Sequence, residues 1–234
     1  MPSPAATSHL ILFDIDGTLV LTGGAGMRAM NRACEDLVGH DSALTGVAVA
    51  GRTDWIILDE VLRLHGRALD RELLEQLRRH YVEHLREEIE LPGTGIKAVM
   101  PGIRELLDAL QKRDDVALGL LTGNFAEGAR IKLEYFDLWK YFRWGAFGDD
   151  ASDRNELVPV ALERARACGI TDAHASVVFV VGDTPHDVAC AQAAGAVPIA
   201  VATGHYSVDQ LRAAGAARVF DDLRDTTAFL ELLT

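Results

Sequence analysis

Three short segments carry the residue types that could do chemistry together. Asp14-Ile15-Asp16-Gly17-Thr18-Leu19-Val20 follows an apolar run. On an extended chain residues i and i+2 point the same way, so Asp14 and Asp16 share a face. Two crowded carboxylates repel each other unless a cation or a shared proton relieves them. Val181-Gly182-Asp183-Thr184-Pro185-His186-Asp187 ends another apolar run and adds Asp183 and Asp187. Asp187 also suits the cap of the helix that follows. Leu121-Thr122-Gly123-Asn124 offers a hydroxyl and open backbone N–H groups at a helix start, which suits a phosphate oxygen or a plain helix cap. Carboxylate oxygens at this density favour a hard divalent cation, and Mg2+ prefers such ligands together with water and phosphate.

For these segments to meet, the strands that carry them must end on one edge of one sheet. Apolar, β-branched runs at residues 10–13, 116–121, 177–181 and 197–201 read as strands buried on both faces of a parallel sheet. Residues 144–147 and 218–220 are weaker candidates, nearer an edge. Amphipathic patterns at 103–110, 126–136, 157–168, 187–194 and 207–214 alternate with these runs, which predicts an α/β class, Rossmann-like doubly wound sheet. The interval after the first strand is different. From Gly23 to Gly93 only helical patterns occur: residues 27–38, then Trp55, Leu58 and Leu62, then Leu73, Leu77, Tyr81 and Leu85. Leu91-Pro92-Gly93-Thr94-Gly95 reads as a return linker. The expected division is a core of residues 1–22 and 94–234 with a helical cap, 23–93, inserted at the ligand-binding edge of the sheet.

Composition narrows the partners. The 234 residues are 49% hydrophobic and 25% charged, a globular balance rather than a disordered or fibrous one. At this length the chain makes one or two domains and needs no disulfide or metal to fold. The 23 Lys and Arg against 35 Asp and Glu leave a net charge of −12, a field that repels nucleic acid and anionic lipid. Cys34, Cys168 and Cys190 are odd in number and form no CxxC pair, so they read as buried, inert thiols in a reducing compartment. The N-terminus lacks the basic and apolar regions of a signal peptide, and no apolar run approaches the ~20 residues of a membrane span. A cytoplasmic protein, monomer or homodimer, is expected.

The sequence resembles the phosphatase branch of the haloacid dehalogenase (HAD) superfamily, which includes phosphoglycolate phosphatases and β-phosphoglucomutases with an α-helical cap. Asp14-Ile15-Asp16-Gly17-Thr18-Leu19 is similar to its first motif, Thr122-Gly123-Asn124 to its second, and Gly182-Asp183 with Asp187 to its fourth. The order matches over essentially the whole chain. The third motif departs: where the family places a Lys, often followed by Pro, this chain has Ala151-Ser152-Asp153-Arg154-Asn155-Glu156-Leu157, so Arg154 is the candidate cation and Lys132 its rival. Arg keeps the charge but changes the geometry.

The resemblance implies a Rossmann-like core with a four-helix-type cap and a Mg2+-dependent phosphatase acting on a small phosphorylated metabolite such as phosphoglycolate. Asp14 is then the nucleophile that becomes an aspartyl-phosphate, and Asp16 the acid and then base. Asp14, Asp16 (through its backbone carbonyl) and Asp183 hold the metal, with Asp187 as a further or water-mediated partner. Thr122, Gly123, Asn124 and Arg154 hold the phosphoryl group. In Gly51-Arg52-Thr53-Asp54, Arg52 is a candidate for a substrate carboxylate or second phosphate, or makes a surface salt bridge at a helix start. This set requires Asp14 and Asp183 to lie within about 10 Å of each other.

Other functions fit less well. Phosphonate hydrolysis in this superfamily uses a cap Lys, and no Lys occurs between Gly17 and Ile96; the dehalogenases lack an acid at the position of Asp16. A β-phosphoglucomutase-like mutase keeps all the motifs and remains open. A non-catalytic phospho-accepting receiver would need neither the cap nor Asp16. The Gly23-Gly24-Ala25-Gly26 cluster does not fit the dinucleotide-binding G-x-G-x-x-G pattern. His186 and His205 fall on loops near the expected crevice, where solvation is the commoner role.

Overall fold

The computed structural model describes residues 8–39, 41–170 and 177–234. Residues 1–7, in which sequence analysis finds no signal-peptide pattern, lie outside them. In chain order, β1 (His9–Phe13) and the short β2 (Val20–Thr22) precede helices α1 (Ala25–Val38), α2 (Asp54–Leu64) and α3 (Arg71–Glu88) and the return strand β3 (Lys97–Val99). There follow α4 (Ile103–Leu110), β4 (Val116–Leu121), α5 (Ala126–Tyr135), β5 (Gly145–Ala146) and α6 (Leu157–Ala167). The chain ends with β6 (Val177–Gly182), α7 (Pro185–Ala193), β7 (Val197–Val201), α8 (Val208–Ala213), β8 (Arg218–Phe220) and α9 (Thr226–Leu230).

Six strands form one parallel sheet in the order β5-β4-β1-β6-β7-β8. The four strong apolar runs fill its centre, and the two weak ones are its edges, as expected. Central β1 shows why its sequence is continuously apolar. Ile11 and Phe13 face one layer, packing with Ile103, Leu106 and Leu110 of α4 and Leu133 of α5. Leu10 and Leu12 face the other, with Leu157 and Ala161 of α6 and Ala191 of α7. These four β1 side chains are fully buried, each contributing roughly 1.5–3 kcal/mol of transfer free energy. The register pairs Phe13 with Leu120 on one side and with Val181 on the other. Asp14, Thr122 and Asp183 therefore leave the sheet on the same edge.

Helices α1, α2 and α3 bury their apolar stripes against one another, with Ala29, Ala33, Leu58, Leu62, Leu77 and Leu85 in one cluster. Among the described residues the insert holds these three helices and a turn-rich stretch at residues 41–46, instead of the four-helix type that the resemblance implied. Thr45 and Val47 there close only three-residue turns, so no fourth helix propagates. The two chain crossings pair as an antiparallel ribbon, Val20 with Val99 and Thr22 with Lys97, which sequence analysis did not anticipate. Helix α9 was also not anticipated. Cys34 and Cys190 are buried, but Cys168 is exposed where α6 ends, which corrects the expectation that all three thiols are internal. Among the described residues no helix is long and apolar enough to cross a membrane.

Candidate active site

At the carboxyl edge of the sheet, Asp14, Asp183 and Asp187 bring carboxylate oxygens within 4.8 Å of one another, all three buried. The distance required of Asp14 and Asp183 is met. The turn after β1 makes this crowding possible. Gly17 has φ +85°, and a β-carbon there would fall 2.5 Å from Asp183 Oδ2, so only glycine lets the chain pass so close. Thr184 caps α7, and Asp187 at the third helical position returns a side-chain hydrogen bond to the Thr184 N–H. Asp187 is thus the reciprocal member of a capping box, not the cap itself.

Arg154 comes from a short 3-10 turn just before α6 and is 7% exposed. Its Nη2 contacts Asp14 Oδ1 at 3.1 Å and pairs with Asp187 Oδ1, while Nη1 donates to Gly51 O at 3.1 Å. Its Nε is buried without a partner. Burial works against the Arg154 charge, but Asp187 and Asp14 outweigh it and push the pKa up. One guanidinium cannot compensate three carboxylates. Burial lifts Asp14 to about 6 against the pull of Arg154, with Asp187 and Asp16 adding to the rise. Burial, then repulsion from Asp187 and Asp14, pushes Asp183 up to about 9. An all-oxygen, under-compensated donor set of this kind fits a hard divalent cation such as Mg2+.

Asp16 faces a second cation. Lys132 of α5, 4% exposed, places Nζ 2.9 and 2.7 Å from the two Asp16 oxygens and 2.6 Å from Asn124 Oδ1. Asn124 Nδ2 donates to Asp16 Oδ2 at 2.8 Å and to Thr122 Oγ1 at 2.7 Å. Arg154 and Lys132 were rivals for one position; the structure brings both to the site, each against a different carboxylate. The Thr122-Gly123-Asn124 turn is no simple helix cap: Phe125 occupies that position and makes no capping bond. Among the described residues the Gly123 N–H has no acceptor, which leaves it open to an oxyanion.

The loop before α2 lies directly on this turn. A β-carbon on Gly123 would sit 2.1 Å from Arg52 O, and Asp54 N donates to Gly123 O at 2.7 Å. Arg52 lines the cavity, but its Nη1 is engaged by Glu60 at 2.6 Å and Ala48 O at 2.8 Å, the helix-start salt bridge of the two alternatives. His205 lines the cavity and His186 flanks the loop; both are exposed. Among the described residues a second cluster, Asp36, His80 and His84, lies on the faces of α1 and α3, where both imidazoles meet one carboxylate oxygen.

Asp54, which follows Arg52 and Thr53 at the start of α2, is a buried acid. Its Oδ2 accepts the Phe125 N–H at 2.8 Å, and burial, opposed by Lys132, lifts it to about 7. An acid whose folded pKa is raised contributes stability below its unfolded value and loses it as pH rises through the folded one. Asp54→Asn keeps the acceptor and removes the charge. Between pH 5 and 8, urea titrations should show the wild type losing about 2–3 kcal/mol more stability than the variant. Parallel curves would mean that Asp54 is not held neutral.

Comparison with known proteins decides the family. The haloacid dehalogenase-like hydrolase model matches residues 11–192, a span that holds the first, second and fourth motifs. The chain belongs to this family. The family member is 31% identical over 218 residues to a phosphoglycolate phosphatase from Rhodospirillum rubrum, covering 91% of this chain and 86% of the relative. A phosphoglycolate phosphatase from Pseudomonas savastanoi pv. phaseolicola is 29% identical over 219 residues, covering 92% and 77%. Solved structures share the fold. A hydrolase from Pseudomonas syringae superposes with a TM-score of 0.66 at 23% identity, covering 97% of this chain and 99% of that one. CbbY from Rhodobacter sphaeroides in complex with phosphate gives 0.67 at 22% identity, covering 92% and 95%.

Proposed function

We propose that this protein is a Mg2+-dependent phosphomonoesterase that hydrolyses a small phosphorylated metabolite through an aspartyl-phosphate. The observation that carries this reading is the buried Asp14 carboxylate, which shares a cavity with Asp183 and the open Gly123 N–H. An Asp14 oxygen attacks phosphorus in line as the bond to the leaving oxygen breaks, and Asp16 gives that oxygen its proton. Asp16, now ionised, takes a proton from water as the water oxygen attacks phosphorus. The bond to Asp14 then breaks and phosphate is released. Thr122, Asn124 and the Gly123 N–H orient the phosphoryl oxygens, and Arg154 holds Asp14 in place and balances developing charge. Mg2+, held by Asp14, the Asp16 carbonyl and Asp183 with Asp187 behind them, would supply positive charge that offsets repulsion between the phosphate and Asp14.

Residues 23–93 serve as the cap that covers the substrate, with the loop bearing Arg52 laid on Gly123 in the closed arrangement. Phosphoglycolate, which appears in the relatives' names, is the first substrate to test. Phosphate release should require a divalent cation, stop with chelator and return with Mg2+. A panel of phosphorylated metabolites that yields no phosphate under these conditions refutes the proposal. Isomer formation without phosphate release would instead favour a β-phosphoglucomutase-like mutase, and stable phosphorylation without turnover a receiver.

A further inference from the structure

The half of the cavity that lies under the cap has a chemistry of its own. The cavity measures about 530 Å³, within the range that encloses ligands far larger than a two-carbon acid. Away from the carboxylates its wall is apolar: Leu21, Met27, Met30, Val49, Ile57 and Ile96. Its three cationic side chains are already engaged, Arg154 by Asp14 and Asp187, Lys132 by Asp16, and Arg52 by Glu60. Among the described residues that line it, no Lys or Arg is without an acidic partner, and His205 is the remaining basic side chain. Tyr81 of α3 is 1% exposed and lines the cavity, yet its hydroxyl makes no hydrogen bond among the described residues. It lies on the Asp16 side: a β-carbon on Gly26 would meet Lys132 Nζ at 3.2 Å and Tyr81 Oη at 3.8 Å. A hydroxyl that opens to a cavity and has no protein partner is free to pair with a ligand bound there.

We infer that this apolar wall and the Tyr81 hydroxyl form the leaving-group subsite. The preferred substrate is then a phosphomonoester of an uncharged, largely hydrocarbon alcohol whose second hydroxyl or carbonyl pairs with Tyr81. This rests on the phosphatase reading and narrows it away from phosphoglycolate, whose carboxylate would enter the cavity uncompensated.

The test compares kcat/KM at saturating Mg2+ for butyl phosphate, its hydroxybutyl analogues, phosphoglycolate and p-nitrophenyl phosphate. Both kinds of butyl ester should exceed phosphoglycolate by at least about tenfold, with a hydroxybutyl ester ahead. In Tyr81→Phe the ratio of hydroxybutyl to butyl ester should fall about tenfold, mainly through KM. Met27→Arg, at a half-exposed position that tolerates change, should shift preference towards phosphoglycolate. Phosphoglycolate as the best wild-type substrate, or an unchanged ratio in Tyr81→Phe, overturns the subsite while p-nitrophenyl phosphate turnover keeps the phosphatase reading intact. No phosphate from any of the compounds overturns that reading itself.

Discussion

Asp14→Asn should lower kcat by at least about 10⁴-fold while leaving the protein folded, because the amide keeps the shape of the carboxylate and loses its nucleophilicity. Asp14 sits where Phe13 of β1 leaves the sheet, its N–H donates to Val181 O at 2.9 Å, and that bond is unaffected by the side chain. The carboxylate itself is under strain in the protein without a cation, since burial and the neighbouring Asp187 and Asp16 lift it to about 6 against Arg154. A neutral side chain relieves that repulsion. With chelator at neutral pH the variant should therefore melt no lower than the wild type, although it turns over no substrate. Phosphate release on aryl and alkyl phosphates, with thermal melts alongside, measures both halves. Activity within about a hundredfold of wild type would remove Asp14 as nucleophile, because loss of a covalent catalyst costs far more than that.

The central sheet and the carboxylate cluster were legible because each is written locally. Leu10 to Phe13 is continuously apolar since both faces of β1 are covered, and Asp14, Asp16, Asp183 and Asp187 lie within a few residues of strand ends. What was missed depends on distant packing. The Val20–Thr22 ribbon strand is only three residues long and pairs across more than seventy residues with one whose side chains are all half-buried, too little alternation to read from the sequence. Tyr81 lies in the Leu73, Leu77, Leu85 stripe and reads as core, which its ring is; the hydroxyl's exposure to the cavity depends on where α3 meets α5. Lys132 follows an amphipathic pattern on α5, and only the seating of that helix beside Asn124 brings Nζ to Asp16. The unpaired cation of a sequence becomes meaningful once the acid it neutralises is known.

That pairing separates the two cations by consequence. Arg154→Ala should destabilise the protein by about 3–5 kcal/mol, because it leaves Asp14 and Asp187 buried with no counter-charge. Lys132→Ala should cost less. Its partner Asp16 has a side chain 42% exposed, so water can take over part of the charge that Lys132 now holds. Arg154→Lys restores a charge near Asp14 but cannot also reach Gly51 O as the guanidinium fork does, so it should recover only part of the loss. The cluster also predicts how the deficit responds to metal. A cation bound among Asp14, Asp183 and Asp187 supplies charge that Arg154 no longer does, so Mg2+ should raise the stability of Arg154→Ala more than that of the wild type, by linkage. Urea titrations of the three variants, in chelator and in Mg2+, read both effects. If Arg154→Ala unfolds at the wild-type midpoint in chelator, Arg154 is not what keeps Asp14 and Asp187 tolerable inside the fold.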